Sequence, residues 1–382
     1  MTRRWSLREP ASDAGARDVA ARMWARGGRA VRSRRDGLQR QGSRLDGARD
    51  GRREGRRGDD GGREQPMVPR AEFASYYGRP VLKPPVWNDD IAYYFFLGGL
   101  SAGCSLLGAG ADQTGRPALR RGTRLAALGS IAAGSYYLIH DLGRPERFHH
   151  MLRVAKPTSP MSVGTWIIAA YGPAAGLAAV SELLPDGVRR TALGRVVDAL
   201  ARPAGLAAAG LAPAVASYSS VLLSQTAVPA WHEAHEELPF IFTASAAASA
   251  GGLGMIVAPV DQAAPARRLA MFGAIVELAA SRRLEGRLGL VGEPFRTGEA
   301  QRELERAGTL TAVGVLGSML LGRRSRTVAA LSGVALLAGG VYERLGLVHA
   351  GIASAKDPKY TVVPQRERIA RRERDDGGSP EP

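Results

Sequence analysis

From Trp87 onward the chain is a succession of long runs of Ala, Gly, Leu and Val with few charges. Runs of about 20 such residues are long enough to cross a bilayer core as helices. Eight can be counted, at 89–111, 121–141, 161–184, 203–225, 238–260, 266–281, 307–322 and 326–347. The sixth and seventh are the shortest. Backbone in lipid must satisfy its own hydrogen bonds, so a helical bundle follows. A single run could belong to a soluble helical core, but eight in succession argue against that. The expected class is an all-α integral membrane protein with about eight transmembrane helices.

The slightly negative mean hydropathy averages two unlike parts. Residues 1–66 are rich in Arg, Gly and Asp, lack any aliphatic run, and hold about half of the net charge of +16. Such a stretch cannot bury enough apolar surface to offset its ordering entropy, and is read as a disordered basic tail. A tail of this kind can bind anionic lipid or nucleic acid. The simpler readings are a solvated tail, or a true start at Met67, and no nucleic-acid partner is expected. Residues 67–366 form the expected membrane domain, and 367–382 a disordered C-terminal tail.

Cys104 is the only cysteine. One thiol can form no internal disulfide and hold no iron–sulfur cluster, which takes several cysteines. It reads as a small packing residue beside Gly99 and Gly103, whose GxxxG spacing lets helices approach closely. Bis-histidine haem needs two ligands facing each other inside a bundle, and no run has a histidine at mid-depth. Redox chemistry in this chain would therefore depend on a partner's metal centres.

Alternating the eight runs places the N-terminus, the 2–3, 4–5 and 6–7 loops and the C-terminus on one side, face A. All six histidines, His140, His149, His150, His232, His235 and His349, fall there. Histidine changes charge near neutral pH, so face A is the expected site of proton handling. The four loops of face B are short and basic, with Arg116, Arg120, Arg121 and Arg124 in the first. The positive-inside rule then favours face B as cytoplasmic, although the 2–3 and 6–7 loops on face A are basic too.

Three face-A segments carry unusual polar residues. The first enters span 1 with Trp87, Asn88, Asp89 and Asp90, followed by Tyr93, Tyr94, Phe95 and Phe96. Asn and Asp cap helix N-termini, which explains part of this pattern. The second runs from Tyr136 to Trp166. His140 and Asp141 end span 2, and Gly143 and Pro145 stop the helix. The residues PERFHHMLRVAK then read as a short amphipathic interfacial helix, with Phe148, Met151, Leu152 and Val154 facing lipid or protein. The third, Tyr218 to Phe242, packs Trp231, His232, Glu233, His235, Glu236 and Glu237 into a short connection. His232 with His235 or Glu236 has metal-ligand spacing but lacks a partner set, so no metal is expected.

Glu277 and Glu343 stand near the face-A ends of spans 6 and 8. A charge costs roughly 2.5–3.5 kcal/mol at a helix centre on insertion scales. These carboxylates are candidates for proton carriage, or for snorkelling with Arg282 or Arg344.

The segment HDLGRPERF…MLR…KP.SPMS.G.W, from His140 to Trp166, resembles the NrfD/polysulfide reductase membrane-subunit family. YYFFLGGLSAG in span 1, VPAWHE…LPF after span 4 and SAKDPKYTVVPQR, Ser354 to Arg366, resemble it as well, so the likeness runs over about 75–366. The resemblance implies eight helices in two four-helix bundles, in a bacterial inner membrane. It implies menaquinone or ubiquinone as an exchangeable ligand, with no haem and no iron–sulfur cluster in this chain. It further implies a four-cluster-type iron–sulfur subunit and a molybdopterin catalytic subunit as partners. By position, Asn88, Tyr93 and Arg144 would bind the quinone, and Asp90, His140 and Asp141 would exchange its protons. The sequence departs from the family in lacking a histidine early in span 1, where His140 or Asp90 would substitute. Arg147, Arg153 and Lys156, with Trp231 and His232, would dock the iron–sulfur protein. Two other readings stay open: a proton-coupled secondary transporter using Glu277 and Glu343, and a plain membrane anchor without an active quinone site.

Overall fold

The computed structural model describes residues 80–376, so the basic N-terminal segment 1–66 and residues 377–382 lie outside the described residues. The described residues are helical and turn, with no strand among them. Eight helices have 20 residues or more: α1 (Asp89–Gln113), α2 (Pro117–His140), α3 (Pro160–Leu183), α4 (Ala192–Ser224), α5 (Leu238–Val257), α6 (Ala264–Arg287), α7 (Gly298–Leu320) and α8 (Arg326–Lys356). A further helix, α9 (Lys359–Asp376), follows. It carries helix into the 367–382 stretch read as a tail, supported in part by an Arg371–Glu367 pair one turn apart.

Local chemistry sets these boundaries. Pro117 and Pro160 open α2 and α3 at the first helical position, where the missing N–H costs nothing. The side chains of Ser159, Thr191 and Ser325 cap α3, α4 and α8 by accepting from Ser162, Gly194 and Val328 N–H. Gly115 between α1 and α2, Gly289 just after α6 and Gly298 at the start of α7 take positive φ, a conformation that side chains with a Cβ resist.

Five helices, α1, α3, α4, α5 and α8, are long and apolar enough to cross a membrane. Five such helices mark a multi-pass helical membrane protein. The runs expected at 266–281 and 307–322 belong to longer helices, α6 with 24 residues and α7 with 23. At ~1.5 Å rise per residue each exceeds the ~30 Å hydrocarbon thickness. Their extensions carry Arg282, Arg283 and Arg287, or Glu299, Arg302 and Glu303, which hydropathy alone assigns to loops.

Each of α1 to α4 packs on the next, and α4 returns to α1; α5 to α8 repeat the pattern. The seam between these groups is formed mainly by α1 against α5, with α1–α8 and α4–α5 beside it. Gly99 and Gly103 make the central contact possible. A Cβ on Gly103 would lie 2.6 Å from Ala250 Cβ and 2.7 Å from Ala246 O on α5. Cys104 is buried beside them, the packing role expected of it. On face B, Glu182 of α3 accepts from Arg120 Nε at 2.7 Å and Arg124 Nη1 at 2.9 Å, and Asp112 of α1 accepts from both arginines at 3.2 Å. Part of the positive charge on that side is thus compensated within the protein, which weakens it as a marker of sidedness.

Candidate functional site

The first turn of α1 projects two adjacent carboxylates at face A. Asp90 Oδ2 lies 2.7 Å from His140 Nδ1, the last residue of α2. The Asp90 side chain is 19% exposed and that of His140 55%, so the pair sits at a rim that water can reach. His140 stacks on Tyr136 at a centroid separation of 5.7 Å, and Tyr93 packs against Tyr137 at 5.4 Å. Asn88 occupies the N-cap position of α1, is exposed, and makes no capping hydrogen bond with its side chain. Asp141 follows α2 directly, its N–H donating to Tyr137 O at 3.0 Å. Asp90, His140 and Tyr93 are therefore gathered around the α1–α2 contact, with Asn88 and Asp141 flanking them in sequence. Arg144 is an exposed residue on the turn that follows.

The other carboxylate, Asp89, faces α8. Its Oδ1 lies 2.9 Å from His349 Nε2, and His349 Nδ1 lies 2.8 Å from Glu303 Oε2 on α7. Nothing in the sequence marks Asp89 and Glu303 as partners of His349. Glu303 falls before the apolar run that marks span 7, and 260 residues separate Asp89 from His349. Among the described residues, Glu299, Glu303 and His349 are a group that could hold a metal ion, with donor atoms within 4.8 Å of one another. His232 and His235 spend Nδ1 on the carbonyls of Ser224 and His232, at 2.9 and 3.0 Å.

The segment after α2 is a 3-10 helix, Pro145–Leu152, in place of the expected longer amphipathic helix. Ser162 ties the following strip to α3 by accepting from Lys156 N–H at 2.9 Å and donating to Val154 O at 3.0 Å. Arg147, Arg153 and Lys156 are exposed, as are Phe148, Leu152 and Val154. His150 there is held below the ordinary histidine range by local desolvation and by His149, Arg153 and Arg147 around it. His232 is exposed, but Trp231 corrects the expectation that it docks a partner. It is completely buried, stacks on Trp87 at 5.3 Å, and its Nε1–H donates to Leu347 O at 2.7 Å. An aromatic in a polar connection looks interfacial in sequence; here it anchors that connection to α8.

Glu237, next to this anchor, is buried at 2% exposure and accepts from Arg287 Nη2 at 2.6 Å and Arg283 Nε at 3.2 Å. Burial alone would raise its carboxyl; the hydrogen bonds and charges of Arg287 and Arg283 outweigh this and hold it below the usual carboxylate range. Glu277 and Glu343 correct a second expectation. Because α6 continues to Arg287 and α8 to Lys356, both lie far inside their helices and both are buried. Arg344 is buried with them and does not snorkel to the surface.

Comparison with known proteins bears on this arrangement. Over residues 81–277 the chain matches the sequence profile of the family described as Polysulphide reductase, NrfD. That range takes in α1 to α5, the Asp90–His140 pair and the Pro145–Leu152 segment, and stops in α6. The Ser354–Arg366 likeness lies beyond it. Over 151 residues the protein is 30% identical to the C subunit of the polysulfide reductase of Wolinella succinogenes, covering 36% of the present sequence and 48% of that relative. The match thus spans about half the length of that relative. With more than half of its residues matched, from the approach to α1 through the middle of α6, the chain belongs to the NrfD polysulphide reductase family.

Proposed function

We propose that this protein is the quinol-binding membrane subunit of a respiratory oxidoreductase in the cell membrane. In this reading all eight long helices cross the membrane as two four-helix bundles. The chain exchanges electrons between the quinone pool and an iron–sulfur subunit, itself in contact with a molybdopterin enzyme. The observation that carries the proposal is the 2.7 Å Asp90–His140 contact joining the head of α1 to the end of α2, inside the family-matched range. Quinol oxidation supplies two electrons and two protons together, so a quinol site needs hydrogen-bonding groups and a nearby proton acceptor.

The residues present fit such a ligand. Asn88 has an amide that capping does not consume, able to donate to a quinone oxygen. The Asp90–His140 pair offers a carboxylate that orients an imidazole, which can take a proton and release it to water at the exposed rim. Tyr93 and Tyr137 provide an aromatic wall beside them. Arg147, Arg153, Lys156 and His232 supply an exposed basic surface for the iron–sulfur partner.

The test is a titration of the purified full chain with a fluorescent quinol-site inhibitor. Saturable quenching is expected in the wild type and a large loss of affinity in Asn88→Ala. In the assembled complex, His140→Gln should lower quinol-dependent turnover by ~10²–10⁴, the usual range for a positioned acid–base group. Absence of saturable quenching in folded wild-type protein would sink the quinol reading. Unchanged affinity and turnover in Asn88→Ala would remove Asn88 from the site.

A further inference from the structure

A second polar cluster lies among α5 to α8, apart from the Asp90–His140 pair. Glu277 on α6 and Glu343 and Arg344 on α8 are 4%, 3% and 2% exposed. Arg344 Nη1–H donates to Glu343 Oε2 at 2.7 Å, and Nη2–H donates to Phe242 O at 2.9 Å. The guanidinium also sits 3.9 Å over the Phe242 ring. On the other side, the Thr311 hydroxyl of α7 donates to Glu277 Oε1 at 3.4 Å. Glu343 Oε1 is buried with no hydrogen-bond partner in the protein.

Arg344 keeps its charge at any physiological pH. Two ionised carboxylates beside it would leave one uncompensated negative charge in the buried interior, which is costly. One added proton makes the trio neutral and turns a carboxylate oxygen into a donor for its neighbours.

The cluster also has an outlet. Glu277 and Glu343 line a cavity of about 210 Å³, large enough for water, whose walls include Leu304 and Gly308 of α7. Exposed Arg282 and Glu285 stand at its mouth, toward the face-A end of α6. Toward face B the helices close on small residues. A Cβ on Gly273 would lie 2.5 Å from Ala244 O and Ala248 N, and one on Gly252 would lie 2.8 Å from Gly333 O. The charged or titratable groups facing the two carboxylates are thus Arg344 within the cluster and Arg282 and Glu285 at the mouth, with Ser245 and Thr311 as neutral polar neighbours.

We propose that Glu277 and Glu343 share one exchangeable proton and trade it with face A through this cavity. The cluster is a dead-end proton store inside the second group of helices. It does not rest on the quinol reading, and its test needs no quinol.

The experiment is infrared difference spectroscopy of the full chain in lipid nanodiscs, reading the protonated-carboxyl band at neutral pH and its shift after transfer to D₂O. The wild type should show a band that is lost in both Glu277→Gln and Glu343→Gln. Gly308→Leu should keep the band and slow its deuterium shift at least tenfold, because a Cβ there meets nothing within 4 Å and the side chain can enter the cavity. A band unchanged in both Gln variants overturns the proposal. So does a folded wild type without the band, as expected if a sodium ion neutralised the carboxylates instead. An unaltered shift rate in folded Gly308→Leu overturns the face-A outlet. If the Gln variants fail to fold, the wild-type band and Gly308→Leu still decide the matter.

Discussion

Trp231 separates two accounts of the connection between α4 and α5, and its removal has a calculable cost. The side chain is fully buried, its ring stacks on Trp87 at 5.3 Å, and its N–H reaches Leu347 O at 2.7 Å. Truncating a buried Trp to Ala costs about 3–5 kcal/mol through lost contacts and the cavity left behind. Trp231→Phe keeps most of the ring contact and loses the hydrogen bond, worth about 0.5–1.5 kcal/mol net. The structure therefore predicts a graded series in detergent unfolding experiments, with wild type above Phe and Phe above Ala. Ala should fall by at least twice the loss of Phe. If Trp231 were a docking residue, Ala would unfold like the wild type and only partner retention would drop. Equal unfolding midpoints for wild type and Trp231→Ala would refute the buried-anchor account.

Three further predictions concern packing and pH. Gly103→Leu should separate α1 from α5 and sharply lower the yield of folded protein in size-exclusion profiles, because even a Cβ there meets Ala250 and Ala246 O. Gly110→Ala, where a Cβ meets nothing within 4 Å, should be neutral or stabilising by up to about 1 kcal/mol in the same assay. Glu237 has a depressed carboxyl, so its stabilising effect is complete above the ordinary glutamate value and fades as pH falls through the lowered one. Melting temperature against pH should thus drop more steeply below about pH 4.3 in wild type than in Glu237→Gln. At neutral pH the variant should already be less stable by ~1–3 kcal/mol, below the range for a fully buried pair because Arg283 and Arg287 are partly exposed. Parallel pH curves would contradict this.

Much of the architecture can be read from the residues. The apolar runs locate all eight long helices, and the small residues Gly99 and Gly103 mark the helix contact that they form. What escapes is the pairing of charges. Hydropathy counts Arg283, Arg287 and Glu303 as costs, without their partners Glu237 and His349, and so it trims α6 and α7 and moves Glu277 toward the end of its run. The gathering of histidines at one end of the bundle is legible, because counting helices assigns each connection to one end or the other. Which carboxylate each histidine meets is not, since His140 and Asp90 are 50 residues apart and His349 and Glu303 are 46 apart. Trp231 escapes for a related reason: Trp87 and Leu347, which bury it, come from distant parts of the chain.

The first turn of α1 has a mechanical consequence. Successive residues on an α-helix point about 100° apart. Asp90 is fastened to α2 through His140, and its neighbour Asp89 is fastened to α8 through His349. One helix end is thus held from two directions, like a spindle between opposed bearings. A single peptide bond thus joins the tie that α1 makes to the first group of helices and the tie it makes to the second.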